Sequence, residues 1–235
     1  MKKNIRGAVW AVPVFILLLG VSIVLALVFS LLRPVSAAVS AEEGPFTLVL
    51  DPGHGGIDGG AVSDDGSKES EINLAIALRT KSIAQFLGIP VVLTRCDDSC
   101  RTDYAGYSER EDLIRRTELI NQTPGAVLIS IHQNDFPTGQ PSGPQVLYAA
   151  TEGSELWGKR THGNLLSALD PENRRVAAPV PARLYITSHV SCPAILVECG
   201  FMSNNFEVLK LNDEAYQRKI ALVLVASLIQ DPMPV

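Results

Sequence analysis

The chain has 235 residues, of which 46% are hydrophobic, 19% charged and only 6% aromatic, and its net charge is −5. That composition excludes a disordered or collagen-like chain and a multi-span transporter, leaving one membrane-proximal segment and one globular domain. Lys2, Lys3, Arg6 and Arg33 all precede Ala37, a stretch without acids, so the remainder carries 16 basic against 25 acidic residues, a net −9. So acidic a domain has no surplus of Lys/Arg with which to neutralise phosphates, which argues against nucleic acid as a partner.

In chain order, residues 1–33 read as a signal-anchor or signal peptide. Ala8 to Leu32 is uncharged, and at ~1.5 Å per residue it spans roughly 37 Å, enough to cross a bilayer as a transmembrane helix with some tilt. The basic residues in front of it place the N-terminus inside and everything after it outside. Val35-Ser36-Ala37 resembles a small-residue cleavage site, yet the apolar run exceeds the usual signal-peptide core, so an uncleaved anchor is the preferred reading. Residues 34–45 read as a linker, and residues 46–235 as the working domain.

Within that domain, short runs rich in Val, Ile and Leu (46–50, 91–94, 127–131, 145–149 and 195–197) are strand candidates with little polar alternation, as a sheet covered on both faces requires. Between them lie helical patterns. Glu69 to Leu87 carries an apolar side and stops at Gly88. Ser108 and Glu111 make a capping box that opens a helix to about Ile120. Residues 156–169 and 212–229 supply two more. The alternation predicts an α/β fold, a single layered domain with a mixed, mostly parallel twisted sheet and helices on both faces.

In such sheets ligands sit beyond the carboxyl ends of the strands, and the unusual side chains fall there. Asp51-Pro-Gly-His54-Gly-Gly follows the first strand, Ser130-Ile-His132 ends a middle one, and Glu198 ends the last; Glu69 opens the first helix. These residues are 15, 63 and 66 positions apart, so only the fold can unite them. Read alone, His132 is a satisfied core histidine, Glu69 a solvated acid at a helix start, and His54 as readily a turn residue as a ligand. Glu198 is different, because an acid directly after Ile195, Leu196 and Val197 needs a partner or a task. Together, two imidazoles, a carboxylate, an open fourth position and a second, unligated carboxylate match a catalytic zinc site.

These blocks, with Lys68-Glu69 before Asn73-Leu74, Ser130-Ile131-His132-x-Asn134 and Pro193-Ala194-x-Leu196-Val197-Glu198-x-Gly200-Phe201-x-Ser203-Asn204, resemble the zinc-dependent N-acetylmuramoyl-L-alanine amidases of bacterial cell walls (amidase type 3). The resemblance runs from about Phe46 to Ile229. It implies a metal site with zinc (Zn2+) held by His54, Glu69 and His132, a catalytic Glu198, peptidoglycan as substrate, and hydrolysis of the amide between the muramic acid lactyl group and L-alanine on the cell-wall side of a bacterium. Small size and the absence of a wall-binding module look most like the spore-cortex, germination-specific branch. A vegetative amidase of cell separation and a non-catalytic wall-binding module of the same fold are the alternatives.

Asn134 is a candidate substrate-binding donor, or equally a loop cap. Asp135, and Ser188 with His189 in the loop before Cys192, depart from the family pattern, while Glu71 on the opposite side of the helix from Glu69 cannot share its ion. His162 and His189 read as surface or groove residues. Cys96 and Cys100 form the most local disulfide candidate, with a zinc-ligand pair as the weaker rival, and Cys199 reads as a core hydrophobe. The domain's negative charge gives it little attraction for anionic wall polymers, which suggests a separate activating or localising protein partner.

Overall fold

The computed structural model describes residues 46–100 and 106–230. The anchor or signal segment and the linker lie outside them. Among the described residues no helix is long and apolar enough to cross a membrane.

The sheet has six strands: β1 (Thr47–Pro52), β2 (Val91–Leu93), β3 (Ala126–Asn134), β4 (Gln145–Tyr148), β5 (Ala178–Pro179) and β6 (Ala194–Phe201). Their order is β2-β1-β3-β6-β4-β5. The first four run parallel, while β4 pairs antiparallel to β6 and carries β5 with it. The expected mixed, mostly parallel sheet is therefore observed, with β1, β3 and β6 at its centre.

Helices cover both faces. On one, α1 (Glu69–Phe86), α3 (Ser154–Leu169) and α6 (Glu214–Ile229) pack over the sheet; Ile72, Ile76, Trp157, Leu165, Ile220 and Leu224 bury themselves with Leu48, Leu50, Ile129 and Ile195. On the other, α2 (Glu109–Gln122) and α4 (Tyr185–His189) contribute Ile120 and Ile186 to a smaller cluster with Val49, Leu128 and Ala194. This two-sided burial explains the near-continuous apolar strands. It also fixes the site. Side chains two apart share a face, so Asp51 follows Val49, Ser130 and His132 follow Leu128, and Glu198 follows Ala194 and Leu196 onto the α2/α4 side.

Local chemistry sets the helix ends. The Ser108 hydroxyl accepts the Glu111 amide at 3.4 Å, as the capping box requires. Gly88, at φ +78°, takes the left-handed turn after α1. The remaining described helix, α5 (Asn205–Leu211), is capped by the Asn204 side chain, which accepts the amides of Phe206 and Glu207.

Several expectations need correction. Glu198 does not end its strand: β6 continues three residues to Phe201, and Glu198 is paired with His132 on one side and Gln145 on the other. Ser188 and His189 belong to the five-residue α4 rather than a loop; so short a helix shows no apolar period. His162 is neither a surface nor a groove residue but is buried on α3, where its Nε2 donates to the Arg175 carbonyl at 2.9 Å. Cys96 and Cys100 are not joined to each other in a disulfide, while Cys199 is buried in the core as expected.

Candidate active site

His54 stands two residues beyond β1 with φ +62°, the one non-glycine at positive φ among the described residues. That conformation costs an L-residue roughly 1–2 kcal/mol. Two glycines make room for what it must approach. A Cβ on Gly53 would lie 2.1 Å from the His132 ring, and one on Gly60 would lie 2.7 Å from both Glu69 Oε2 and the His54 ring. The backbone is thus close to the imidazoles because those positions have no side chains.

Glu69, the first residue of α1, reaches between the two histidines. Its Oε2 lies 3.3 Å from His54 Nε2 and its Oε1 3.0 Å from His132 Nδ1. The carboxylate also accepts the amides of Ala61 and Gln133, both at 3.0 Å, and the Asn73 side-chain amide at 3.3 Å. One donor atom from each of His54, Glu69 and His132 lies within 4.8 Å of the others. Two imidazole nitrogens and a carboxylate oxygen suit a borderline-soft divalent cation such as zinc. Asp58 Oδ2 accepts from His54 Nδ1 at 2.8 Å, which fixes the tautomer that points Nε2 at the cluster. Glu71 is exposed and lies near Lys68, so it takes no part.

The protein alone holds this cluster as ionised groups. Burial opposes the charge on His54, but the hydrogen bonds and charges of Asp58 and Glu69 prevail and raise its pKa to about 10. His132 is likewise raised against its burial by Glu69. Glu69 resists protonation: burial works against its charge, yet the two imidazoles pull its pKa far below the usual carboxylate range. Three charged groups poised around one point are what a cation would replace protons in.

Glu198 lies outside that cluster, beside it on the neighbouring strand. Its Oε2 is buried without a hydrogen-bond partner. Burial raises its pKa to about 7, partly offset by His132 and reinforced by the nearby Glu69. A carboxyl of that basicity can both take and return a proton near neutral pH. A cavity of about 300 Å3 joins His54, Glu69, His132, Glu198 and Asn134 to the residues of α4 around Tyr185. Asn134 ends β3 at its edge, where its backbone carbonyl accepts the Met202 amide at 2.7 Å, and Asp135 lies exposed on the same wall. The structure thus gathers His54, Glu69, His132 and Glu198 and leaves Asn134 on the margin. His189 is exposed and stacked on Tyr185, with ring centroids 4.0 Å apart.

Sequence reasoning missed what holds His54 in place. Asp51, fully buried, accepts from the Thr94 hydroxyl (2.7 Å), the Ser130 hydroxyl (2.8 Å) and Arg116 Nη1 (3.1 Å). Arg116, only 1% exposed, also pairs with Asp112 at 2.7 Å. Arg95 is 4% exposed and spends its donors on backbone carbonyls. The available signal was Arg95 itself, an arginine separated only by Thr94 from the apolar run Val91-Val-Leu, since a charge there must find buried partners.

A parallel-centred α/β sheet beside which two imidazoles and an acid gather at metal-compatible spacing, with a further basic carboxyl alongside, is the scaffold of a hydrolase. The chain belongs to the N-acetylmuramoyl-L-alanine amidase family, whose profile matches residues 48–230, and it is an amidase of peptidoglycan. The germination-specific N-acetylmuramoyl-L-alanine amidase of Bacillus subtilis is 38% identical over 184 residues, 74% of each chain. Among solved structures, the CwlD amidase of Clostridioides difficile in complex with the GerS lipoprotein is similar with a TM-score of 0.74 and 34% identity, over 79% of this chain and 97% of that one. AmiC2 of Nostoc punctiforme gives 0.68 and 26%, over 80% and 97%.

Proposed function

We propose that the chain is a zinc-dependent amidase that cleaves the bond between the lactyl carbonyl of N-acetylmuramic acid and the amine of L-alanine, and that it acts in the spore cortex. The observation that carries the chemistry is the approach of His54, Glu69 and His132 donors to within 4.8 Å of one another. A zinc ion bound there supplies a Lewis acid for the scissile carbonyl and lowers the pKa of water towards ~7.

The chain's own residues do the rest. Asp58 orients His54 through Nδ1. Glu198 takes the proton of the attacking water and returns it to the departing alanine amine, a role its pKa of about 7 suits. Asn134, on the cavity wall, donates to the substrate.

The cortex role draws on the 38% identity to a germination-specific amidase. A protein partner is favoured by the net −9 of the exported part and by the similarity to an amidase solved with a lipoprotein. The uncharged run Ala8 to Leu32 favours a signal-anchor or signal peptide in residues 1–33, followed by a linker at 34–45 and the catalytic domain at 46–235, exported to the cell-wall side.

The test is product identification. Digestion of purified cortex peptidoglycan with the zinc-loaded protein should release a free lactyl carboxylate and a new N-terminal alanine in equal amounts. Acetate, or a cut between two amino acids, would assign the chemistry to another amide.

A further inference from the structure

The loop that carries His54 has an unusual number of carbonyls to satisfy. The carbonyl oxygens of Pro52, Gly53 and His54 all accept from arginine side chains, and that of Gly53 also accepts from Asn73 Nδ2 at 3.2 Å. Arg116 Nη1 donates to Pro52 O at 2.9 Å and its Nη2 to His54 O at 2.6 Å. Arg95 Nε donates to Pro52 O at 2.9 Å and its Nη2 to Gly53 O at 3.0 Å. That same Nη2 donates to Ser70 O at 2.8 Å. Gly53 precedes His54 and Ser70 follows Glu69, so a single guanidinium nitrogen ties the chain beside one donor to the chain beside the other.

Neither arginine is free to wander. Asp51 and Asp112 grip Arg116 from two sides, at 3.1 and 2.7 Å. Arg95 Nη1 closes on Asp97 O at 2.9 Å. Among the described residues neither guanidinium hydrogen-bonds the ring of His54 or His132 or the carboxylate of Glu69, so neither serves the cluster directly. Their geometry matters more than their charge. The planar fork presents fixed, divergent donors that span consecutive carbonyls, which a lysine ammonium on a single point cannot do.

On the reading of His54, Glu69 and His132 as zinc ligands, we propose that Arg95 and Arg116 are positioning residues. They hold His54 at its left-handed φ of +62° and set its distance from Glu69, so that the site is assembled before the metal arrives. They support the site through the backbone, and among the described residues no ligand side chain hydrogen-bonds them.

The experiment measures zinc affinity of the full chain by competition with a chromophoric chelator, together with thermal unfolding of the metal-free protein, for Arg95→Lys and Arg116→Lys. Arg115→Lys, one residue away on the exposed side of α2, is the comparator. Loss of outer-shell support characteristically weakens metal binding about 10- to 100-fold. Each lysine variant should lose zinc affinity by about that factor, with kcat lowered and KM unchanged, while Arg115→Lys stays at the wild-type value. A folded Arg116→Lys or Arg95→Lys whose zinc affinity stays within about twofold of wild type, with only the metal-free unfolding temperature lowered, would make the arginines mere stabilisers and overturn the proposal. If neither folds without metal, Asp112→Asn decides by the same measurement: it removes one anchor of Arg116 and should lower affinity about threefold, and an unchanged affinity overturns the proposal. Absence of zinc binding in the wild type would instead defeat the zinc reading itself.

Discussion

His132 of β3 and Glu198 of β6 are direct register partners in neighbouring parallel strands. Their side chains therefore leave the sheet on the same face, one strand spacing apart. That single pairing places the basic carboxyl beside the donor cluster but not in it, and the period of the strands fixes the separation. A one-residue slip between β3 and β6 would flip the whole strand, sending Glu198 into the apolar cluster on the opposite face and taking Ile195 and Val197 out of it.

The close approach of Gly53 to His132 predicts an intolerant glycine. In Gly53→Ala the new methyl would overlap the ring at 2.1 Å, and the imidazole must move. Stability should fall by about 1–3 kcal/mol, as overpacking does, and activity by about 100-fold, as an ångström-scale displacement of a catalytic group does. Gly66→Ala is the comparison: nothing lies within 4 Å of its Cβ, so only the local cost of its φ applies and activity should persist. Equal activity in the two variants, measured on soluble muropeptide, would contradict this packing account.

Breaking the buried ion cluster should be expensive. Asp51→Ala removes the acceptor shared by Thr94, Ser130 and Arg116 and leaves the guanidinium with one carboxylate. Loss of one partner of a buried pair costs about 3–5 kcal/mol. Urea unfolding should show a midpoint reduced accordingly at constant m-value, and a loss under 1 kcal/mol would mean that water enters the cluster.

The metal-free protein should lose stability as the solution becomes alkaline. The pKa of His54 is raised from 6.5 to about 10 by Asp58 and Glu69, so the folded state binds a proton that the unfolded state releases above 6.5. The stabilisation is complete below pH 6.5 and disappears as pH rises through about 10. Denaturation midpoints at pH 6.5 and 10 should differ in that direction, and zinc should bind more tightly at the higher pH because it displaces that proton. A midpoint that rises with pH across this window would contradict the ionised cluster.

His54, His132 and Glu198 were legible because each sits at an abrupt change of chemistry, beside a cluster of glycines or at the margin of an apolar run, whereas Glu69, among Lys68, Ser70 and Glu71, was singled out only by the family resemblance. The sheet was legible from those same apolar runs. What escaped was held by long-range pairing. Arg116 meets Asp51 and His54 across 65 and 62 residues, and neither residue advertises the other. The interior position of Glu198 was missed because Cys199-Gly200-Phe201 contains a glycine, which reads as a strand ending. In fact Gly200 is in the strand to admit Glu207 and Leu211 of α5, which lie within 3.2 Å of where its Cβ would be. His162 was misplaced because its acceptor, the Arg175 carbonyl, comes from the loop after α3 rather than from its own helix.

The most direct measurement is zinc content paired with turnover in four variants: His54→Ala, Glu69→Ala, His132→Ala and Glu198→Gln. The first three should lose both the metal and the activity. Glu198→Gln should retain one zinc per chain while turnover falls by about 10²–10⁴, the usual contribution of a general acid–base. Loss of zinc from Glu198→Gln, or retention of both zinc and activity in any of the other three, would contradict the division of labour between the donor cluster and the carboxyl beside it.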